Sequence, residues 1–512
     1  MTSCVTAYAA KPAAGKLLVT PPSLKFPATA RGGTQNESLT VENTGTGVLS
    51  GSVGAVLGGG FAVTSGSGSY TLNPSQTLTV EVSFTPSKAG KYQGKLPVTG
   101  GSTKKTIALS GVGTPVSSGT VYLFGGVPNT VNIIAQSEQF DSLTQKFSSI
   151  PEMSDSRGFI HEAPYLDPSV VTGSETGNVF ISGGQDSAGN ILSTTELYDP
   201  SSNSFSNGPS LITARAEHTA TLFTSGPLVG QVVLIGGLQL EGDTRIALNG
   251  QELYDPATNS TSSTGSMNDA RGQHTATLLN NGLVLVTGGY DDNFDSNGFN
   301  EATATAELYD PSTQSFSCVT SGASSSTTTS ACPDVMSSTR WNHRATLLPD
   351  GTVLVTGGTP VDSGSRAGTN SADLYDPTSN SFSALPNMNT ARQGHTATLI
   401  EGCNCSADGE VLIAGGQDQN ANITATAELY NPANKTFTAV GNMTLPRAEH
   451  QAVVFTTGDL AGSVLIVGGY PKVDEQGTNT AELFNPITKT FKKISSMKSD
   501  RYEFPLTLVP PG

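Results

Sequence analysis

The 512-residue chain predicts an all-β protein, a seven-bladed β-propeller closed by a C-terminal strand and preceded by a small β-sandwich. Three observations carry this. A Gly-Gly pair ends an apolar run seven times, at 125–126, 183–184, 236–237, 288–289, 357–358, 415–416 and 468–469. An acid follows each pair and opens a third strand with an aromatic two residues on: Glu138, Glu196, Glu252, Glu307, Asp373, Glu428 and Glu482 precede Phe140, Tyr198, Tyr254, Tyr309, Tyr375, Tyr430 and Phe484. An arginine precedes each first strand: Arg157, Arg215, Arg271, Arg340, Arg392, Arg447 and Arg501. Units of about 50 residues with four short strands each build propellers.

Residues 271–317 show one complete unit. HTATLL and LVLVTGG flank Asn281-Gly282, a strong hairpin signal. AELYD and SFS flank an Asp-Pro turn, in which proline presets φ. The ends of the repeat region are half-units. TVYLFGG at 120–126 has no first strand before it, and the segment from Arg501 starts one that nothing continues. Leu506–Val509 is therefore expected as the inner strand beside 120–124, which closes the ring and removes exposed edges.

Ahead of the propeller, residues 1–16 read as a tether, 17–113 as a sandwich of about seven strands and 114–118 as a linker to the propeller at 119–512. TVEVSF alternates apolar and polar as a half-buried strand does.

Composition narrows the function. Net charge is −16 and no lysine occurs between Lys146 and Lys435. No basic stripe exists, which argues against nucleic acid as a partner. No apolar run reaches the roughly 20 residues of a transmembrane helix. Cys318 and Cys332 bracket a Ser/Thr-rich loop, and a disulfide between them is expected, as in an extracellular setting. Cys403 and Cys405 either bridge or stay free. Cys4 is a candidate lipid-anchor site.

The doubled glycine, the acid-x-aromatic strand and the fourth-strand aromatics Phe205, Phe316, Phe382, Phe437 and Phe491 resemble kelch repeats, with Phe where many carry Trp. The R-x-x-H-T-A-T variant is similar to the central region of galactose-oxidase-type propellers. The set P-x-x-L-x-F, VENTGTG, GFAV, SFTP and IALSGVG in 17–113 resembles the ASH/Hydin-type immunoglobulin-like domain, which implies a spacer or interaction module.

Asymmetry marks the expected working face. Insertions at 238–250, 290–304, 318–339 and 359–371 all belong to the face of the second-to-third and fourth-to-first strand loops. Asp291, Asp292, Phe294, Asp295, Phe299 and Trp341 are the candidate ligand-binding residues, with aromatics to stack or anchor. Asp291, Asn293, Asp295, Asn297 and Glu301 offer hard oxygens that suit Ca²⁺; no other cofactor is expected. The seven arginines and seven acids occur in every unit and read as architectural pairs, within or between blades. The six histidines all follow a repeated arginine and read the same way. The resulting expectation is a binding or adhesion protein at the cell surface, with a protein or glycan partner. A copper radical oxidase and a subunit of a surface layer or fibre are the alternatives.

Overall fold

The computed structural model describes residues 13–129, 132–242, 244–294, 300–320, 331–360, 367–473 and 476–511; from Asp291 to Glu301 only backbone is described. The chain divides into two compact units after Ser117.

In the first unit two sheets share one core. One orders Leu17–Thr20, Gln35–Asn43, Thr77–Phe84 and Phe61–Ser65. The other orders Ser23–Ala30, Thr103–Thr114, Gly90–Gly100, Leu49–Val53 and Gly68–Leu72. Alternate residues point inward, as along Thr103–Thr114, and the rings of Phe26, Phe61 and Phe84 meet at 4.8–5.6 Å. Nine strands form where seven were expected. Leu49–Val53 and Gly68–Leu72 are rich in Gly and Ser, which carry no strand signal; they form because neighbours supply their hydrogen-bond partners. Asn43 of the VENTGTG segment is fully buried, and its amide donates to the carbonyls of Gly47 and Leu72 at 2.8 and 3.0 Å.

Among the described residues the second unit carries seven antiparallel sheets of three or four strands, one per repeat, and two further two-stranded hairpins. In the blade 4 unit, Thr275–Leu278, Val284–Thr287, Ala306–Asp310 and Ser315–Cys318 pair in that order. Second strands such as Val284–Thr287 are buried at every residue because each blade is covered on both faces. Val284 and Val286 pack toward blade 3 and Leu285 toward blade 5. Seven buried clusters bridge consecutive sheets, including the last to the first, where Leu465 and Val467 meet Val121 and Leu123. Leu506–Val509 pairs antiparallel with Thr120–Phe124 and supplies the inner strand of blade 1.

Blade 2 departs from the expected four strands: only Val179–Ser182, Thr195–Asp199 and Ser204–Asn207 form a ladder. Its inner segment touches the second strand through the Tyr165–Val179 bridge, with Phe180 donating to the Pro164 carbonyl at 3.0 Å. Pro164 has no amide to extend that pairing. Ile160, three residues after Arg157, sits over Gly184 at the position where His218 sits over Gly237, and His161 falls one place later.

The repeated arginines are 0–1 % exposed. Each pairs with the acid of its own blade: Arg157–Glu196, Arg215–Glu252, Arg271–Glu307, Arg340–Asp373, Arg392–Glu428, Arg447–Glu482 and Arg501–Glu138, at 2.6–3.1 Å. Nη1 donates to the carbonyl of the first glycine of the pair, as Arg447 does to Gly468 at 2.7 Å. The second glycine donates to the arginine carbonyl of the next blade, from Gly126 to Arg157 around to Gly469 to Arg501, at 2.7–2.9 Å. Both glycines have positive φ, and a Cβ on the second would meet the first strand of its own blade, at 2.9 Å between Gly289 and the His274 Cβ.

The clamp yields a stability prediction. Arg447→Met leaves Glu482 buried and unpaired and lowers the unfolding free energy by about 3–5 kcal/mol. Adding Glu482→Leu restores part of it. Chemical denaturation checks both; a single-variant loss below about 1 kcal/mol contradicts a structural clamp.

Candidate functional site at the axial mouth of the propeller

Two residues lie between each arginine and the position three beyond it. The second of them is left-handed in every blade: Phe159, Glu217, Gln273, Asn342, Gly394, Glu449 and Glu503 have φ between 48° and 58°. That conformation is uncommon outside glycine. Here it serves a closed hydrogen-bonded belt. Glu217 N donates to Phe159 O, Gln273 to Glu217, Asn342 to Gln273, Gly394 to Asn342, Glu449 to Gly394, Glu503 to Glu449 and Phe159 to Glu503, at 2.8–3.4 Å. The belt joins all seven blades at one end of the central channel. It presents six side chains that obey no repeat: one phenylalanine, three glutamates, a glutamine and an asparagine.

A further belt surrounds it. The residue after each arginine bridges the residue after each Gly-Gly: Tyr502–Val127, Gly158–Gln185, Ala216–Leu238, Gly272–Tyr290, Trp341–Thr359, Gln393–Gln417 and Ala448–Tyr470. Two aromatic pairs result. Tyr290 meets Trp341 edge-on at 5.8 Å and Tyr470 meets Tyr502 edge-on at 5.2 Å.

Two insertions form hairpins at this end, Leu238–Glu241 with Thr244–Ala247 and Tyr290–Phe294 with Asn300–Ala302, and they lie side by side. Both send side chains to Glu217. Its carboxylate is 3 % exposed, accepts the Tyr290 hydroxyl at 2.8 Å and lies 3.6 Å from Arg245 Nη1. Burial lifts the Glu217 carboxyl above its ordinary range, against the pull of Tyr290 and Arg245. Burial, with Glu217 beside it, holds the Tyr290 phenol well above its ordinary value. Across the belt, the Asn342 amide donates to Glu449 and to Gln393 Oε1, the latter at 2.8 Å.

Deeper in the channel the position after the histidine breaks symmetry once more. Thr219, Thr275, Thr396 and Gln451 hold it in four blades and Arg344 in blade 5. Arg344 donates to the His343 carbonyl at 3.0 Å. From blade 2 the Glu162 carboxylate accepts the Ala220 amide at 2.7 Å, capping the free edge of the blade 3 inner strand. Burial raises Glu162 to about 7, opposed by that amide and by Arg344. Burial and then Arg344 lower His161 to about 4.

The histidines do not form one crown. His218, His274, His343, His395 and His450 are buried between blades, and each Nε2 lies 2.9–3.3 Å from a Ser or Thr hydroxyl. His161 falls outside this set because Ile160 takes its place, and Phe504 does so in blade 1.

Of the sequence-predicted ligand residues, Trp341 stands at the mouth against Tyr290. Asp295, Asn297 and Phe299 lie outside the described residues, and no side chain is described for Asp291, Asp292, Asn293, Phe294 or Glu301. Cys4 also lies outside them. Cys318 and Cys332 are disulfide-bonded, as are Cys403 and Cys405. Asp269, Glu307 and Cys332 come together, but the arrangement is explained without a metal. Cys332 is bridged, Glu307 pairs with Arg271, and Asp269 accepts the Ala331 and Cys332 amides at 2.6 and 3.2 Å. Sequence reasoning missed Phe159, Glu217, Glu449 and Arg245. The usable signal was the dipeptide after each arginine (GF, AE, GQ, WN, QG, AE, YE), which varies while its surroundings repeat.

The Kelch motif matches residues 176–212 and 402–444, each running from just before a second strand through the outer strand. Among solved structures, YjhT is similar at 14 % identity and a TM-score of 0.45, covering 67 % of this chain and 99 % of that one. A novel fungal alcohol oxidase of the AA5 family, in complex with copper, is similar at 17 % identity and a TM-score of 0.47, covering 67 % of each chain. No curated protein matches this chain in sequence. The second unit is a kelch-type β-propeller. Among the described residues no helix is long and apolar enough to cross a membrane.

Glu162 yields a pH prediction. Its folded pKa lies above the unfolded value, so the stability it contributes is full below about 4.5 and is lost as pH rises through about 7. Glu162→Gln should therefore gain on wild type in melting temperature between pH 5 and pH 8. Thermal melts across that range check this; parallel curves for the two proteins contradict it.

Proposed function

We propose that this chain is an interaction protein of the cell exterior, with the axial mouth and its two hairpins as the contact surface and the immunoglobulin-like, ASH-type domain as a spacer. The observation that carries the reading is the contrast inside one motif. The arginine clamps are the same in every blade, whereas the belt residues between them differ and gather carboxylates, amides and aromatics at one end of the axis. A repeated feature serves the ring; a set that breaks the repeat on a rigid scaffold is where binding concentrates. Two disulfides support an oxidising location. The partner is a protein or glycan on a surface. Ca²⁺ at 291–301 remains part of the proposal, as a means of ordering the blade 4 insertion, and Cys4 as an anchor point.

Copper radical oxidase chemistry is favoured less. It needs a cysteine cross-linked to a tyrosine, and the four cysteines among the described residues are paired with each other. Five histidines are each engaged with a hydroxyl between blades.

The test is capture of surface glycans and proteins from an array and a pull-down, with and without Ca²⁺. Trp341→Ala, and separately deletion of 291–300, should each lower capture at least about tenfold, as loss of a central aromatic anchor does, while leaving the melting temperature nearly unchanged. Unchanged capture by both variants contradicts the mouth as the contact surface. Stoichiometric copper with alcohol oxidation would replace the binding reading with the oxidase one.

A further inference from the structure

Arg245 is 43 % exposed on the blade 3 hairpin, yet its side chain turns over the mouth. Nη2 donates to Gln185 Oε1 at 2.9 Å. The guanidinium carbon lies 5.7 Å from the centroid of the Phe159 ring, within cation–π range. Nη1 lies 3.6 Å from Glu217 Oε1. Phe159 and Glu217 are consecutive members of the belt, hydrogen-bonded to each other at 2.9 Å. A ring face, a buried carboxylate and an amide oxygen thus converge on one guanidinium that a flexible surface side chain has brought there.

We infer that the mouth is a receptor for an arginine side chain presented by a partner polypeptide, and that Arg245 holds that place in the free chain. This rests on the binding reading above and names the partner's chemistry. The belt carries Glu217, Glu449 and Glu503 and no basic residue. Arg344, deeper in the channel, is fixed to the His343 carbonyl and sits in the field of Glu449 and Glu162, so it does not occupy the Glu217 position. Tyr290 bonds the far oxygen of Glu217 and leaves Oε1 facing Arg245. Planar guanidinium fits such a site better than ammonium, because it stacks on an aromatic face while donating in its own plane. The chain's net charge of −16 and the absence of lysine from 147 to 434 favour approach of a basic segment.

The probe is argininamide, with citrullinamide as its uncharged counterpart, titrated calorimetrically at low salt into the full chain. Arg245 competes for the site, so Arg245→Gln should bind argininamide about tenfold more tightly than wild type, the gain expected when an intramolecular occupant fills about nine-tenths of the sites. Adding Glu217→Gln or Phe159→Leu to Arg245→Gln should remove that binding, with folding checked by melting temperature. The Phe159 variant keeps the test decisive if the Glu217 variant fails to fold. Citrullinamide should not bind. Equal affinity in wild type and Arg245→Gln, or binding that survives both added substitutions, overturns the inference. If argininamide fails while Trp341→Ala still abolishes capture of the surface ligand, the arginine assignment falls and the binding reading stands.

Discussion

The propeller depends on a buried ion pair repeated seven times. Each arginine spends its guanidinium on its own blade, on an acid of the third strand and on the carbonyl of the first glycine, while its carbonyl accepts the amide of the preceding blade's second glycine. One residue therefore ties strand to strand within a blade and blade to blade around the ring. Burying a charge is costly unless every donor finds a partner. The arginine meets most of that demand through its Nη atoms, with the acid and backbone carbonyls, while Nε of Arg215, Arg271, Arg447 and Arg501 has no partner. Glycine is needed beside it because a Cβ on the first of the pair would run into the carbonyl of the next blade's arginine, as Gly357 would into Arg392 O.

The same clamp fixes the belt. With the arginine held, the next two residues must turn inward across the channel, and they do so by placing the second in the left-handed region and bonding it to its neighbour. The scaffold absorbs the cost of this conformation, so the side chains at those positions are free of any architectural duty. They can differ from blade to blade without weakening the ring. The mouth is thus a variable array on an invariant frame, and Glu217, Glu449, Phe159 and Asn342 owe their positions to residues that resemble one another in all blades.

The hairpins of blades 3 and 4 add a wall over one side of that array. They reach the axis through single side chains, Arg245 and Tyr290, that meet at Glu217 from two blades. Burial raises the affinity of Glu217 for a proton, and a hydroxyl and a guanidinium hold it in a defined geometry. The lower channel is more sparsely charged. Glu162 there serves the exposed edge of an inner strand, a role that exists because blade 2 gave up its own regular inner strand at Pro164.

The sequence by itself determined the propeller architecture, the position of each strand in the complete repeats and the use of Leu506–Val509 to close the ring, because these follow from local turn chemistry and from periodic burial that any single repeat displays. It also marked the fourteen clamp residues, since a residue that recurs with every blade announces its role by recurrence. It gave no warning of the two glycine- and serine-rich strands of the first unit, of the lost strand in blade 2, or of the meeting of Phe159, Glu217, Arg245 and Tyr290. Those residues come from three blades and are up to 131 positions apart in the chain (159 to 290). Only the packing of consecutive blades against one another brings them within reach, and no local pattern records a contact made from one blade to the next.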